Sequence, residues 1–137
     1  MGSYIYMSLL RNQDARHIDF EAFVGIIPDN PKLLPSDLDM VIERRGYFLC
    51  AEWKRPNEKF STGQRLMLEA LSMKPDWRVL IVHGDTDGGL NVTGVWLLQG
   101  IETIHLGSTT EHLKETIRYW YSWVENNALR QQALEQI

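Results

Sequence analysis

Apolar residues recur with different periods along this chain, and each period predicts an element. In "RHIDFEAFVGII", starting at Arg16, the mixed spacing of Ile18, Phe20, Phe23 and Val24 suits a short amphipathic helix ending near Gly25. "PDNPKLLPSD" then carries three prolines and reads as an irregular connector rather than a domain linker. "LDMVIE" and "YFLCAEW" are β-branched and aromatic runs joined by "RRG", where Gly46 can adopt the positive φ of a tight hairpin turn. After "KRPNEKF", Ser61 and Thr62 are N-cap candidates for a helix with Leu66, Met67, Ala70 and Leu71 at helical spacing, running to about Lys74. "WRVLIVHG" and "VTGVWLLQG" read as buried strands separated by the loop "DTDGGLN". Thr109 or Thr110 caps a long final helix whose apolar stripe is Leu113, Ile117, Trp120 and Val124. The predicted order is α-β-β-α-β-β-α: an α/β fold, a mixed sheet flanked by helices, formed as one domain over residues 1–137.

Composition narrows the setting. A chain of 137 residues can bury a core without staples, and 44% hydrophobic with 23% charged residues is ordinary for a globular domain. The formal net charge of -4 argues against a general nucleic-acid coat protein, although a local basic patch can still bind phosphate. The single cysteine, Cys50, has no partner for an internal disulfide and lies in an apolar run, so it reads as a buried structural thiol in a reducing compartment. No apolar run approaches the roughly 20 residues of a membrane span, and the first residues lack a secretion pattern. The expected location is cytoplasmic. Asp85 and Asp87 lack the remaining ligands of a calcium loop and read as a turn. His17, His83, His105 and His112 show no zinc spacing.

The chemistry concentrates in the hairpin. Alternation along a strand puts Glu52 and Lys54 on one face and Ala51 and Trp53 on the other. A turn centred on Arg45 and Gly46 pairs Arg44 with Tyr47 and brings Asp39 opposite Glu52. Cross-strand Cβ atoms lie about 4.5 to 5.5 Å apart, too close for two uncompensated carboxylates. A hard divalent cation such as Mg²⁺ meets that need with oxygen ligands, and the expected site is at a sheet edge. The plain alternative is a solvated edge strand, with Asp39 in a salt bridge.

"DMVIERRGYFLCAEWK", from Asp39 to Lys54, resembles the signature of the PD-(D/E)XK nuclease superfamily: an aspartate, a hairpin, then Glu-x-Lys. Its continuation, "KRPNEKFSTGQRLMLEAL", is similar to the virus-type replication-repair nuclease domain, VRR-NUC, in which a polar loop and a Leu-Ser-like pair lead to a glutamine opening a helix; Phe60, Ser61 and Gln64 stand there. The match covers residues 37–71, and the remainder only by the order of elements. The resemblance implies a restriction-endonuclease-like core and Mg²⁺-dependent hydrolysis of DNA phosphodiesters, with Mn²⁺ as a substitute metal. It implies that Asp39, Glu52 and the backbone carbonyl of Trp53 ligate metal, that Lys54 orients or activates water, and that Gln64 supports the site. An acidic residue of the family's first helix has Glu21 as its nearest candidate. The family's proline directly before the aspartate is Leu38 here, whereas Pro35 precedes Ser36 and Asp37, so Asp37 is the alternative motif aspartate.

Between residues 44 and 65, Arg44, Arg45, Lys54, Arg55, Lys59 and Arg65 outnumber Glu52 and Glu58, which suits contacts to phosphate without sequence readout. The resemblance points to a structure-specific endonuclease for branched DNA such as a Holliday junction, active in repair or recombination, from a viral or bacterial source and working as a homodimer. Tyr119, Tyr121 and Trp123 are candidates for the dimer interface. Competing readings are a non-catalytic binding module on a nuclease-like fold, and an exonuclease or RNA nuclease of the superfamily. Exonuclease relatives carry a tyrosine four residues after the glutamine, where this chain has Leu68.

Overall fold

The computed structural model describes residues 20–136. The described residues fall into two units, the first ending at residue 35 and the second beginning at residue 36. In the first, Phe20–Phe23 form a single 3-10 turn, and Gly25 follows with φ +79°. The amphipathic helix expected from Arg16 is thus one short turn where it is described; its residues 16–19 lie outside the described residues.

The second unit is an α/β structure built on a five-stranded mixed sheet in the order β1-β2-β3-β4-β5, with two helices. Its strands are β1 Met40–Arg44, β2 Tyr47–Lys54, β3 Trp77–Asp85, β4 Asn91–Gln99 and β5 Glu102–Gly107. Helix α1 spans Thr62–Ser72 and α2 spans Thr110–Glu135. β1 and β2 form the expected hairpin with Arg44 opposite Tyr47, and both turn residues, Arg45 (φ 53°) and Gly46 (φ 82°), occupy the left-handed region that two-residue hairpins require. α1 then carries the chain across the sheet, so β2 and β3 run parallel, whereas every other pair is antiparallel.

β5 is the element that the periodicity did not predict. Its residues "ETIHLG" are all exposed except Gly107, so no buried face wrote an alternation into the sequence. A turn at Gly100, φ +61°, returns the chain from β4, and the Gly100 amide donates to Ser72 Oγ at 2.8 Å.

Strand parity divides the core. Leu49, Ala51, Leu80 and Val82 pack with Leu113, Trp120 and Val124 of α2 on one face. Cys50, Val79, Ile81 and Leu98 pack with Leu68 of α1 on the other. The predicted stripe of α2 is therefore core: Leu113, Trp120 and Val124 are buried and Ile117 packs against them. Cys50 is fully buried, and burial, reinforced by the Glu52 charge, pushes its thiol up to about 11. That environment suits a structural thiol. Among the described residues no helix is long and apolar enough to cross a membrane.

Candidate active site

Glu52 and Lys54 belong to the even-numbered face of β2, which looks toward α1. β2 lies between β1 and β3, not at the sheet edge, and the two residues are only 3% and 7% exposed. The solvated-edge alternative is therefore overturned: both charges are buried, on an interior strand. Asp39 immediately precedes edge strand β1, and its Oδ2 accepts from the Trp53 amide at 2.9 Å, which ties the open end of the hairpin together. Continuing the β1–β2 register by one residue places Asp39 opposite Glu52.

The opposite wall comes from α1. Ser61 caps the helix, its Oγ accepting from the Gln64 amide at 3.2 Å. This fixes the first turn so that Gln64 Nε2 donates to Glu52 Oε1. Lys54 Nζ lies 3.9 Å from Glu52 Oε1 and 3.4 Å from Glu58 Oε2, and it sits 4.9 Å from the centre of the Phe60 ring. Four of the predicted residues, Asp39, Glu52, Lys54 and Gln64, are thus brought together from the entry to β1, from β2 and from α1.

The electrostatics of this cluster are unbalanced. Burial pushes the Glu52 carboxyl up to about 7, the nearby Asp39 charge adds to the rise, and Lys54 opposes it. Glu52 Oε2 is buried with no hydrogen-bond partner among the described residues. An unpaired buried carboxylate oxygen is costly unless a cation or a proton joins it. Two carboxylates offering oxygen donors, one of them orphaned, fit a hard divalent cation completed by water and phosphate oxygens. No group of three or more His, Cys, Asp or Glu side chains suited to a metal occurs among the described residues.

The other predicted residues are distributed differently. Asp37 is exposed, as is Asp39, and its charge raises Glu52 less than that of Asp39 does. Glu21 lies in the first unit, on the 3-10 turn, whereas the clustered residues all lie in the second. Trp53 turns its side chain to the α2 face, leaving only its backbone at the site. Arg44 and Arg45 sit at the hairpin turn, the far end of β2 from Lys54, roughly 23 Å away at strand rise. Both bind Glu125 of α2, at 2.7 and 3.1 Å. The basic stretch seen in the sequence is therefore split by the fold: Arg55 faces Asp87 at 3.5 Å and Arg65 pairs with Glu69 at 2.8 Å, while Lys59 and Arg65 line a groove beside the site. Among the rings of α2, Tyr119 and Tyr121 are exposed, but Trp123 packs edge-on against Tyr47 with Arg78 over its face, which makes it part of the fold rather than a free interface residue.

Sequence reasoning missed that groove, about 550 Å³ in volume, which includes His83 and Trp96. The parallel register pairs Lys54 with His83, and the next pairing sets Ile81 beside Trp96. No local signal could have found them, because the alignment of β2 with β3 is made through α1 and not by a turn. In comparison with known proteins, no family model, curated protein or solved structure matches this chain.

Proposed function

We propose that this chain is a metal-dependent DNA endonuclease with a restriction-endonuclease-like core, of the VRR-NUC type. The observation that carries the reading is the buried Glu52, one oxygen orphaned, set beside Asp39 and Lys54 on adjoining strands. A binding module has no use for carboxylates held together at this cost, whereas a hydrolase can use both a cation and a fixed ammonium. The resemblance itself rests on Asp39, Glu52, Lys54 and Gln64.

Asp39, Glu52 and the Trp53 carbonyl would hold Mg²⁺, or Mn²⁺ in its place, which when bound neutralises a phosphodiester and activates water for hydrolysis. The remaining roles belong to the chain. Gln64 holds Glu52 Oε1 through its amide, leaving Oε2 as the available donor. Lys54, buried and steered by Glu52 and Glu58, keeps its ammonium beside the place where the attacking water and the charge of the pentacovalent phosphorus would lie. Water attacks phosphorus in line, the phosphorus–oxygen bond to the leaving sugar breaks, and the leaving oxygen takes up a proton. No covalent enzyme intermediate is needed.

The substrate in this reading is branched DNA, held by its backbone, and the enzyme acts as a homodimer that uses the exposed Tyr119 and Tyr121. The test is cleavage of labelled four-way junction, flap, plain duplex and single-stranded DNA with Mg²⁺ or Mn²⁺, beside a Glu52→Gln variant. Metal-dependent cutting of the branched substrates that is lost in Glu52→Gln is the expected result. Failure to cut any of them would remove the reading.

A further inference from the structure

The groove next to the active site has a lining that backbone binding does not account for. It runs from Phe60, beneath Lys54, past His83 to Trp96, with Leu68 of α1 as one wall and Ile81 and Leu98 in its floor. Trp96 is half-buried, its indole 4.5 Å from the His83 ring and 5.3 Å from His105. Its flat seat depends on Gly94: a Cβ there would collide with the Trp96 ring. The bare backbone of Gly94 thus lets the indole lie along the sheet while staying accessible from the groove.

Charge and size select the occupant. Lys59 and Arg65 at the rim are matched by Glu58 and Glu69, and Arg65 is already held by Glu69 at 2.8 Å. A groove with no net charge is poorly suited to phosphate, whereas aromatic walls attract a planar neutral ring. A volume of about 550 Å³ is in the range of small-ligand sites and accommodates one nucleotide. Its position completes the case: the Lys54 ammonium sits 4.9 Å from the centre of the Phe60 ring that lines the groove, and His83, also in the lining, pairs with Lys54 on the adjacent strand.

We propose that this groove binds a single unpaired nucleobase of the DNA strand being cut, stacked on Trp96, so that the enzyme selects DNA with an unpaired nucleotide beside the scissile phosphate. The inference rests on the nuclease reading above and deepens it: a base inside a duplex is stacked on its neighbours and cannot enter, whereas one at a flap or junction enters at little cost.

The test separates the two. Flap DNA is made with one abasic position moved stepwise through the unpaired arm and the branch point, and its binding to the Glu52→Gln variant is measured by anisotropy. One position should weaken binding about tenfold, the order expected for a lost base–aromatic stack. That penalty should vanish in Glu52→Gln/Trp96→Leu and persist in part in Glu52→Gln/Trp96→Phe. If Trp96→Leu does not fold, 2-aminopurine at the sensitive position of the DNA gives the answer with Trp96 intact: quenching on binding supports the stack and undiminished emission overturns it. Equal tolerance of abasic residues at every position overturns the base site, as does a penalty unchanged by Trp96→Leu. Mg²⁺-dependent cutting of unmodified flap DNA by the unaltered protein, measured in parallel, reports on the nuclease reading alone. Cutting without an abasic penalty removes only the base site, and no binding and no cutting remove both.

Discussion

Burial penalises a carboxylate far more than a carboxylic acid, and at Glu52 this fixes the sign of a pH effect. Its value is about 7 in the fold against an ordinary 4.5. Below about pH 4.5 the group is protonated in folded and unfolded chains alike, and the fold keeps its full stability. As pH rises from there to about 7, the unfolded chain ionises while the fold holds its proton, so stability falls, by on the order of 3 kcal/mol at most. Urea titrations in EDTA at pH 5 and pH 8 should show that loss, Glu52→Gln should abolish most of it, and Mg²⁺ at pH 8 should restore stability. An equal slope in Glu52→Gln would mean that the buried carboxylate is compensated without a cation. Lys54 poses the complementary case: its ammonium donates to Glu58 at 3.4 Å, lies 3.9 Å from Glu52 and sits over the Phe60 ring. Lys54→Ala should lower cleavage at least a hundredfold while DNA affinity changes little. A variant cutting at the unaltered rate would strip Lys54 of its role.

The elements determine how accurately these groups meet. Gln64 reaches Glu52 because Ser61 caps α1 three residues earlier and sets the rotation of its first turn. Ser61→Ala should therefore cost about 1 kcal/mol of stability, as lost caps do, and should also weaken Mg²⁺ binding through the loosened Gln64. Denaturant midpoints read the first effect and metal titration the second; a stability loss with unchanged metal affinity would make the cap purely structural. The hairpin acts in the same way on the other wall. Arg45 and Gly46, both with positive φ, fix the register, and the register alone decides that Asp39, not Asp37, reaches the Trp53 amide beside Glu52.

Across the whole molecule, a ligand that binds only the folded chain stabilises it in proportion to its excess over Kd, by about 2.7 kcal/mol at a hundredfold excess. Thermal melts with and without Mg²⁺ should show a clear rise in Tm for the unaltered protein and for Asp37→Asn, and none for Asp39→Asn. The reverse pattern would make Asp37 the ligand. The sequence by itself determined the hairpin and its register, the two faces of β2 and the core stripe of α2, and narrowed the cap of α1 to Ser61 or Thr62, because each follows from short-range alternation, helical spacing or turn chemistry. Only the tertiary structure decided that Glu52 and Lys54 are buried on an interior strand, since the parallel pairing with β3 depends on a crossover that no local pattern encodes. It also decided which charges remain near the site. Arg44 and Arg45 are close to Lys54 in sequence but lie a full strand away, where both pair with Glu125, some eighty residues on. β5 and the Trp96 groove are likewise products of the assembled sheet, because an exposed strand carries no buried face to mark it and a groove exists only once its walls are in place.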